Sequence, residues 1–155
     1  MNYRWEFLIK IIRDNQFKII VEVGVLKGLT MIPILKQCDI SKYYAIDIVA
    51  QKNCCKDNRI TWIEKPSVEA AKEFEDESVD LVFIDANHSY PSVKADSIAW
   101  QPKVKDGGIL CGHDYCSAEK GVYRAVNELF PNVQFKEMRG EPCGKQFRGV
   151  WWVNG

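Results

Sequence analysis

The sequence predicts an α/β fold: a doubly wound, mostly parallel β-sheet with helices on both faces. The chain of 155 residues alternates short apolar runs with longer stretches of helical character, as parallel strands joined by helical crossovers do. Glycines follow the first apolar run, where a strand would turn into a helix. Neither repeats nor linker-like segments interrupt the alternation. We therefore expect one domain spanning residues 1–155.

Seven segments are predicted as strands because they are short, apolar or alternating, and bounded by turn residues. They are residues 18–23, 43–48, 60–63, 80–85, 109–111, 133–138 and 149–153. Five further segments have helical character and cover residues 1–16, 29–37, 68–74, 91–100 and 121–130. Ser67 is expected to cap the third helix, and residues 105–108 are expected to form a turn.

The composition is typical of a globular protein, and we expect a cytoplasmic localisation. There are 21 basic and 21 acidic residues, so no basic excess suggests nucleic acid as a partner. No apolar run approaches the roughly 20 residues that span a bilayer, so no membrane partner is expected. The first 16 residues predict an amphipathic helix rather than a signal peptide. The six cysteines lack C-x-x-C spacing and are interpreted as reduced thiols.

A glycine turn and a distant aspartate predict an adenosine-type ligand. Gly24 and Gly28 lie where the first strand turns into a helix, and Asp47 ends the next strand, where its carboxylate can accept ribose hydroxyls. A dinucleotide loop needs a middle glycine near the pyrophosphate, but Leu26 stands there. S-adenosylmethionine (SAM) has no phosphate, and Glu22 is a candidate to contact its ammonium group.

Two acids and the only two histidines of the chain follow two strands predicted to be neighbours. Asp85 and His88 come after one strand, and His113 and Asp114 come after the other. Neighbouring parallel strands lie about 4.8 Å apart, so these side chains should share one cleft. They can hold a magnesium ion that orients an acceptor hydroxyl, or a neutral histidine can accept the hydroxyl proton.

The sequence resembles class I SAM-dependent methyltransferases. Residues 78–115 are the specific part, residues 21–28 (VEVGVLKG) resemble the first motif, and residues 44–47 (YAID) resemble the second. The group that it resembles is methyltransferase family 24, which is similar to sugar and macrolide O-methyltransferases. This resemblance implies a Rossmann-like sheet of seven strands, with the last strand antiparallel between the fifth and the sixth.

The resemblance also implies roles for single residues. Asp85 and His88 would face the transferred methyl group, and Asp85 and Asp114 would hold magnesium. His113 and Tyr115 flank Asp114, where metal-dependent relatives often carry a third acid, so the magnesium site departs from the family pattern. The residues expected to bind SAM are Glu22, Val23, Gly24, Gly28, Thr30, Asp47, Ile48, Ser67, Val68 and Asp85.

The expected function is O-methylation of a small polar acceptor, with a sugar hydroxyl as one acceptor class. Residues 117–120 and 139–146, or a second identical subunit, would then select the acceptor. Three alternatives stay open: a SAM-binding module or subunit without turnover, a dinucleotide-dependent oxidoreductase, and a metal-dependent hydrolase. Leu26 argues against the oxidoreductase, and the hydrolase leaves the glycine turn and Asp47 unexplained.

Overall fold

A computed structural model describes all residues, 1–155, and shows one seven-stranded sheet with helices around it. The strands are β1 (Ile19–Val23), β2 (Lys42–Asp47), β3 (Ile60–Glu64), β4 (Val79–Ile84), β5 (Val104–Gly112), β6 (Gln134–Cys143) and β7 (Gln146–Asn154). The helices are α1 (Arg4–Asp14), α2 (Met31–Gln37), α3 (Ser67–Ala71), α4 (Tyr90–Trp100) and α5 (Lys120–Leu129), and a 3₁₀ turn spans Gln101–Lys103.

The strand order confirms the predicted topology. It runs β3-β2-β1-β4-β5-β7-β6, and the pairs from β3 to β5 are all parallel. Strand β7 pairs antiparallel with both β5 and β6. The order reverses between β1 and β4, and in such sheets ligands bind beyond the carboxyl ends of the strands at this switch point.

The sheet is buried on both faces, as a doubly wound fold requires. Alternate residues of β4 point to opposite faces, so Leu81 joins one core cluster and Val82 the other. Helices α1 and α2 cover the first face, and α4 and α5 cover the second. In β7, Trp151 lies in the second cluster and Trp152 packs against the first.

Two local predictions were wrong. Ser67 does not cap α3: Pro66 holds the N-cap position without a side-chain cap, and the Ser67 hydroxyl instead accepts a hydrogen bond from Trp100 Nε1 at 2.9 Å. Residues 105–108 do not form a separate turn, because β5 already begins at Val104. These residues form an irregularity in β5, because the register between β4 and β5 shifts between Val79 and Leu81.

Element boundaries differ from the prediction at several ends. Helix α2 begins at Met31, two residues later than expected, and α3 ends at Ala71. Strands β6 and β7 extend towards each other and take in most of residues 139–146, which were predicted as a loop. The acceptor-selecting loop expected there is therefore a β-hairpin with its turn at Gly144.

None of the five α-helices is both long and apolar enough to cross a membrane. All six cysteines are free thiols.

Candidate functional site

Two neighbouring cavities open at the carboxyl edge of the sheet, at the switch point between β1 and β4. The larger cavity has a volume of about 780 Å³ and the smaller one, called the charged cavity below, about 340 Å³. Both volumes are typical of small-molecule sites. The residues common to both linings are Gly24, Leu26, Asp85 and Ala86.

Gly24 lets the turn after β1 approach the end of β4, where the two cavities meet. Its φ is +89°, and a Cβ at this position would lie 2.3 Å from the carbonyl oxygen of Asp85. The Asp85 amide donates a hydrogen bond to the carbonyl of Val23 at 2.8 Å, which fixes this close approach. Only glycine fits here, because any side chain would collide with backbone.

The larger cavity brings together most residues expected to bind SAM. Val23, Asp47, Ile48, Ser67 and Val68 all line it. The residues predicted at the ends of β1, β2 and β3 therefore share one wall, as the parallel register requires.

Gly28 lies outside the lining of both cavities. Its φ is +72°, and a Cβ there would contact Met31 and Cys54 at 3.2–3.3 Å. This glycine serves the packing of the turn before α2 rather than a cavity wall.

The Asp47 carboxylate holds the glycine turn. Its Oδ2 accepts hydrogen bonds from the amides of Val25 at 3.0 Å and Leu26 at 2.9 Å, and Oδ1 accepts one from Val49 at 3.2 Å. A carboxylate offers about four acceptor sites, so one remains for a ligand hydroxyl. The expected ribose contact stays a prediction.

Glu22 is a buried acid on the wall of the charged cavity. Its side chain is 1% exposed and accepts a hydrogen bond from the Tyr43 hydroxyl at 2.8 Å. Burial raises the pKa of Glu22 to about 8, with Asp85 adding to the rise and the Tyr43 contact opposing it. A cationic group that entered the cavity would favour the ionised form, so Glu22 suits the ammonium contact predicted for it.

The charged cavity is built around Asp85. Its carboxylate lies 3.3 Å from Arg4 Nε, 3.6 Å from His88 Nε2 and 3.6 Å from His113 Nδ1. Burial opposes ionisation of Asp85, but the contacts with His113 and His88, helped by Arg4, outweigh it and hold its pKa at about 2. Asp85 is therefore a fixed negative charge at the junction of the two cavities.

His113 is enclosed by carboxylates. Nδ1 lies 2.9 Å from Asp114 Oδ2, Nε2 lies 2.7 Å from Glu141 Oε2, and the side chain is 3% exposed. Burial opposes the charge of His113, but contacts with Asp114, Asp85 and Glu141 raise its pKa to about 11. With both nitrogens facing carboxylates, His113 is an imidazolium ion, which speaks against the expectation that it is a neutral base.

His88 occupies the rim of the same cavity and is 40% exposed at its side chain. Nε2 lies 3.1 Å from Asp114 Oδ2. The contact with Asp85 raises the pKa of His88 despite partial burial, and Asp114 adds to the rise. Of the two histidines, His88 is the one that a molecule in the cavity can reach.

The same contacts speak against the expected magnesium ion at Asp85 and Asp114. Ligand atoms of Asp85, His113 and Asp114 lie within 4.8 Å of one another, a spacing that an ion could bridge. However, the imidazolium of His113 has no lone pair to offer. Arg148 Nε already lies 2.5 Å from Asp114 Oδ1, so side-chain cations occupy both carboxylates. This donor set does not fit a hard divalent ion.

Sequence reasoning missed three residues of the charged cavity and its surroundings. Arg4 bridges α1 to the site: its Nε donates to Thr30 Oγ1 at 3.0 Å and its Nη1 to Glu141 Oε2 at 2.8 Å. Glu141 comes from the β6–β7 hairpin and Arg148 from β7. Charged residues on an amphipathic helix and in a predicted loop look like ordinary surface charges, so no local pattern marked them.

The sheet order and the glycine turn define a Rossmann-like α/β domain, and its two cavities lie at the carboxyl edge of the sheet, where such domains bind ligands. Residues 21–115 match the sequence profile of a methyltransferase domain, methyltransferase family 24, and the chain belongs to this family.

One curated relative also matches. Over 83 residues the chain is 39% identical to the uncharacterised protein y4gI of Sinorhizobium fredii. The match covers 50% of this chain but only 9% of that protein, so most of the relative has no counterpart here.

Solved structures share the fold at low sequence identity. A Klebsiella pneumoniae protein assigned as an O-methyltransferase superposes with a TM-score of 0.74 at 20% identity, over 98% of this chain and 80% of its own. An O-methyltransferase from Bacillus cereus in complex with SAH gives 0.73 at 14% identity, with the same coverage. Spermidine synthase from Thermotoga maritima gives 0.72 at 15% identity, over 97% and 58%.

Proposed function

We propose that the chain is a SAM-dependent methyltransferase that methylates a hydroxyl group of a small polar acceptor, with sugars as the first acceptor class to test. The observation that carries the proposal is the junction of the two cavities at Gly24 and Asp85. The larger cavity suits an adenosyl group, and the charged cavity suits the polar end of the cofactor and the acceptor. Family membership supports the same reading.

Each wall of the junction has a binding task in this proposal. Asp47 accepts a ribose hydroxyl while it holds the glycine turn, and Ser67 and Val68 flank the base. Glu22 receives the ammonium group of the cofactor's methionine part. The SAH complex of the Bacillus cereus protein, which has the same fold, supports a ligand of this class for the chain.

The charged cavity supplies positioning and proton transfer. Bound SAM would supply an electrophilic methyl group on its sulfonium. His88 accepts the proton of the acceptor hydroxyl as the oxygen–methyl bond forms and the sulfur–methyl bond breaks. Asp85 and Asp114 hold the His88 ring in place. Such a displacement depends mainly on aligning the reacting atoms, so a pre-formed cavity provides much of the rate.

Calorimetry with SAM and SAH tests the binding half of the proposal. We expect both to bind, and we expect Asp47→Ala to weaken binding about 10-fold or more through loss of charged hydrogen bonds. Asp39→Ala is the matched control, because Asp39 is a solvent-exposed acid away from both cavities. No heat with either ligand would contradict the proposal.

Transfer of label from methyl-labelled SAM tests the catalytic half. We expect labelled product with one or more acceptors in a panel of sugars and other small hydroxyl compounds. SAM binding without transfer to any acceptor would favour a binding module instead. Binding of a nicotinamide dinucleotide in place of SAM would favour the oxidoreductase.

A further inference from the structure

Asp96 is a buried acid that the proposed chemistry leaves without a role. It lies on α4, is 6% exposed, and lines the larger cavity. Two other acids line this cavity, but both already have partners: Asp47 holds the glycine turn and Asp85 contacts cationic side chains. Asp96 differs from them because neither a backbone amide nor a cationic side chain holds its carboxyl.

Ser67 is the side chain that lies beside the Asp96 carboxyl. Its Oγ accepts a hydrogen bond from Trp100 Nε1 at 2.9 Å, so its hydroxyl proton is available to Asp96. Burial raises the pKa of Asp96, the Ser67 contact opposes the rise, and no cationic side chain contributes. One donor serves only a quarter or so of the acceptor sites of a carboxylate, and buried acceptors are rarely left unpaired.

The surroundings of Asp96 suit the flat face of a heteroaromatic ring. Apolar residues of the larger cavity offer packing to such a ring, and Lys65, Asn87 and Ser92 are further polar residues of its lining. The apolar residues that line the cavity include Val23, Ile46, Val68, Pro91 and Ala95.

We propose that Asp96 selects the base of the ligand, by accepting a hydrogen bond from the exocyclic amino group of a 6-aminopurine. This inference rests on the proposed function, because it assigns the base of the cofactor to the cavity wall formed by α4. In a purine with a carbonyl at the same position, the carbonyl oxygen would face the Asp96 carboxylate. Both are acceptors, so this purine would bind poorly. Ser67 lies beside this carboxyl, and its hydroxyl accepts a hydrogen bond from Trp100 Nε1.

The test compares two ligands that differ only at this group, S-adenosylhomocysteine and S-inosylhomocysteine. Calorimetry is done at mildly alkaline pH, so that the Asp96 carboxyl is ionised. We expect wild-type protein to prefer the adenosyl compound by about 10–100-fold, the range of one hydrogen bond to a charged group. In Asp96→Asn the preference should nearly vanish, because the amide can donate to a carbonyl as well as accept from an amine.

The affinity ratio separates recognition from loss of structure, because a loosened fold weakens both ligands alike. Asp106→Asn is the control: it makes the same chemical change at an exposed acid outside the larger cavity and should keep the wild-type ratio. Equal affinity of wild-type protein for the two ligands, or an unchanged ratio in Asp96→Asn, would overturn the inference. Failure of wild-type protein to bind either compound would instead overturn the proposed function on which it rests.

Discussion

Strand β4 carries an aspartate near each end, and the two differ in their partners. At the amino end, Asp80 Oδ2 accepts hydrogen bonds from the amides of Lys18 and Ile19, both at 2.8 Å, and Oδ1 lies 2.7 Å from Lys105 Nζ. Just beyond the carboxyl end, Asp85 faces the side chains of Arg4, His88 and His113.

The partners decide what each carboxylate can do. The amides that Asp80 binds belong to the start of β1, so this acid joins two strands and is committed to the fold. The cations around Asp85 are side chains that line the charged cavity. A buried acid held by cationic side chains beside a cavity is a better candidate for function than one held by backbone.

Turnover should differ most between variants made at the two ends of β4. We expect His88→Gln, which removes the proposed proton acceptor beside Asp85, to lower kcat by about 10²–10⁴ while SAH affinity stays near wild type. Asp80→Asn, at the other end of the strand, should leave kcat near the wild-type value. The measurement is the rate of methyl-label transfer with saturating SAM. A His88→Gln rate equal to wild type would mean that the base lies elsewhere.

Stability should also separate the two aspartates. Asp85→Asn leaves Arg4 and His113 facing a neutral group, and breaking a buried ion pair in this way costs about 3–5 kcal/mol. Asp80→Asn keeps one oxygen for the β1 amides and should cost less, about 1.5–3 kcal/mol for weakened charged hydrogen bonds. Urea unfolding followed by circular dichroism gives both values. The reverse order would show that the Asp85 cluster contributes little to stability.

The pH dependence of stability tests the charges of the cluster. The pKa of Asp85 is lowered from 3.8 to about 2, so its contribution is complete above 3.8 and is lost as the pH falls through about 2. The pKa of His113 is raised from 6.5 to about 11, so its contribution is complete below 6.5 and is lost as the pH rises through about 11.

The free energy of unfolding, measured with urea across this pH range, should therefore decline twice, once at acid pH and once at alkaline pH. His113→Gln should lower stability at neutral pH and flatten the alkaline decline, while Asp80→Asn should retain it. An alkaline decline that is the same in His113→Gln and wild type would mean that His113 is not charged in the folded protein.

The smallest effect is expected at Lys105, the only cation paired with Asp80. Its side chain is 40% exposed, and half-exposed ion pairs contribute about 1 kcal/mol or less. Lys105→Met should therefore lower the unfolding free energy only slightly, because both β1 amides still bind Asp80. A loss as large as that of Asp80→Asn would show that the lysine, rather than the amides, holds this aspartate.

The sheet and the larger cavity could be predicted because their signals are local in sequence. Short apolar strands alternate with helices, and residues just after parallel strands meet at one edge, so Asp47, Ser67 and Asp85 were placed together correctly. Family membership and the strand order are likewise confirmed.

The charged cavity could be predicted only in part. The approach of Asp85, His88, His113 and Asp114 followed from neighbouring strands, but the pKa of Asp85 also depends on Arg4 and the pKa of His113 on Glu141, both distant in sequence. The electrostatic environment of this cavity arises from tertiary contacts between helix α1, strand β7 and the hairpin. The hydrophobic periodicity of the sequence does not predict such contacts. Asp96 was missed for a related reason, since an acid within a predicted helix resembles a solvated one until its burial is known.

The packing of α1 against the hairpin has a practical consequence for handling the protein. The Gly140 amide donates to the carbonyl of Asn2 at 2.7 Å, so the first residues lie next to Arg4 and the mouth of the charged cavity. Gly155 donates to the carbonyl of Gly108 at 2.8 Å, near the opposite edge of the sheet. Affinity tags and surface-immobilisation handles are therefore best attached after Gly155, where they leave the cleft free, whereas the same additions before Met1 would crowd its entrance.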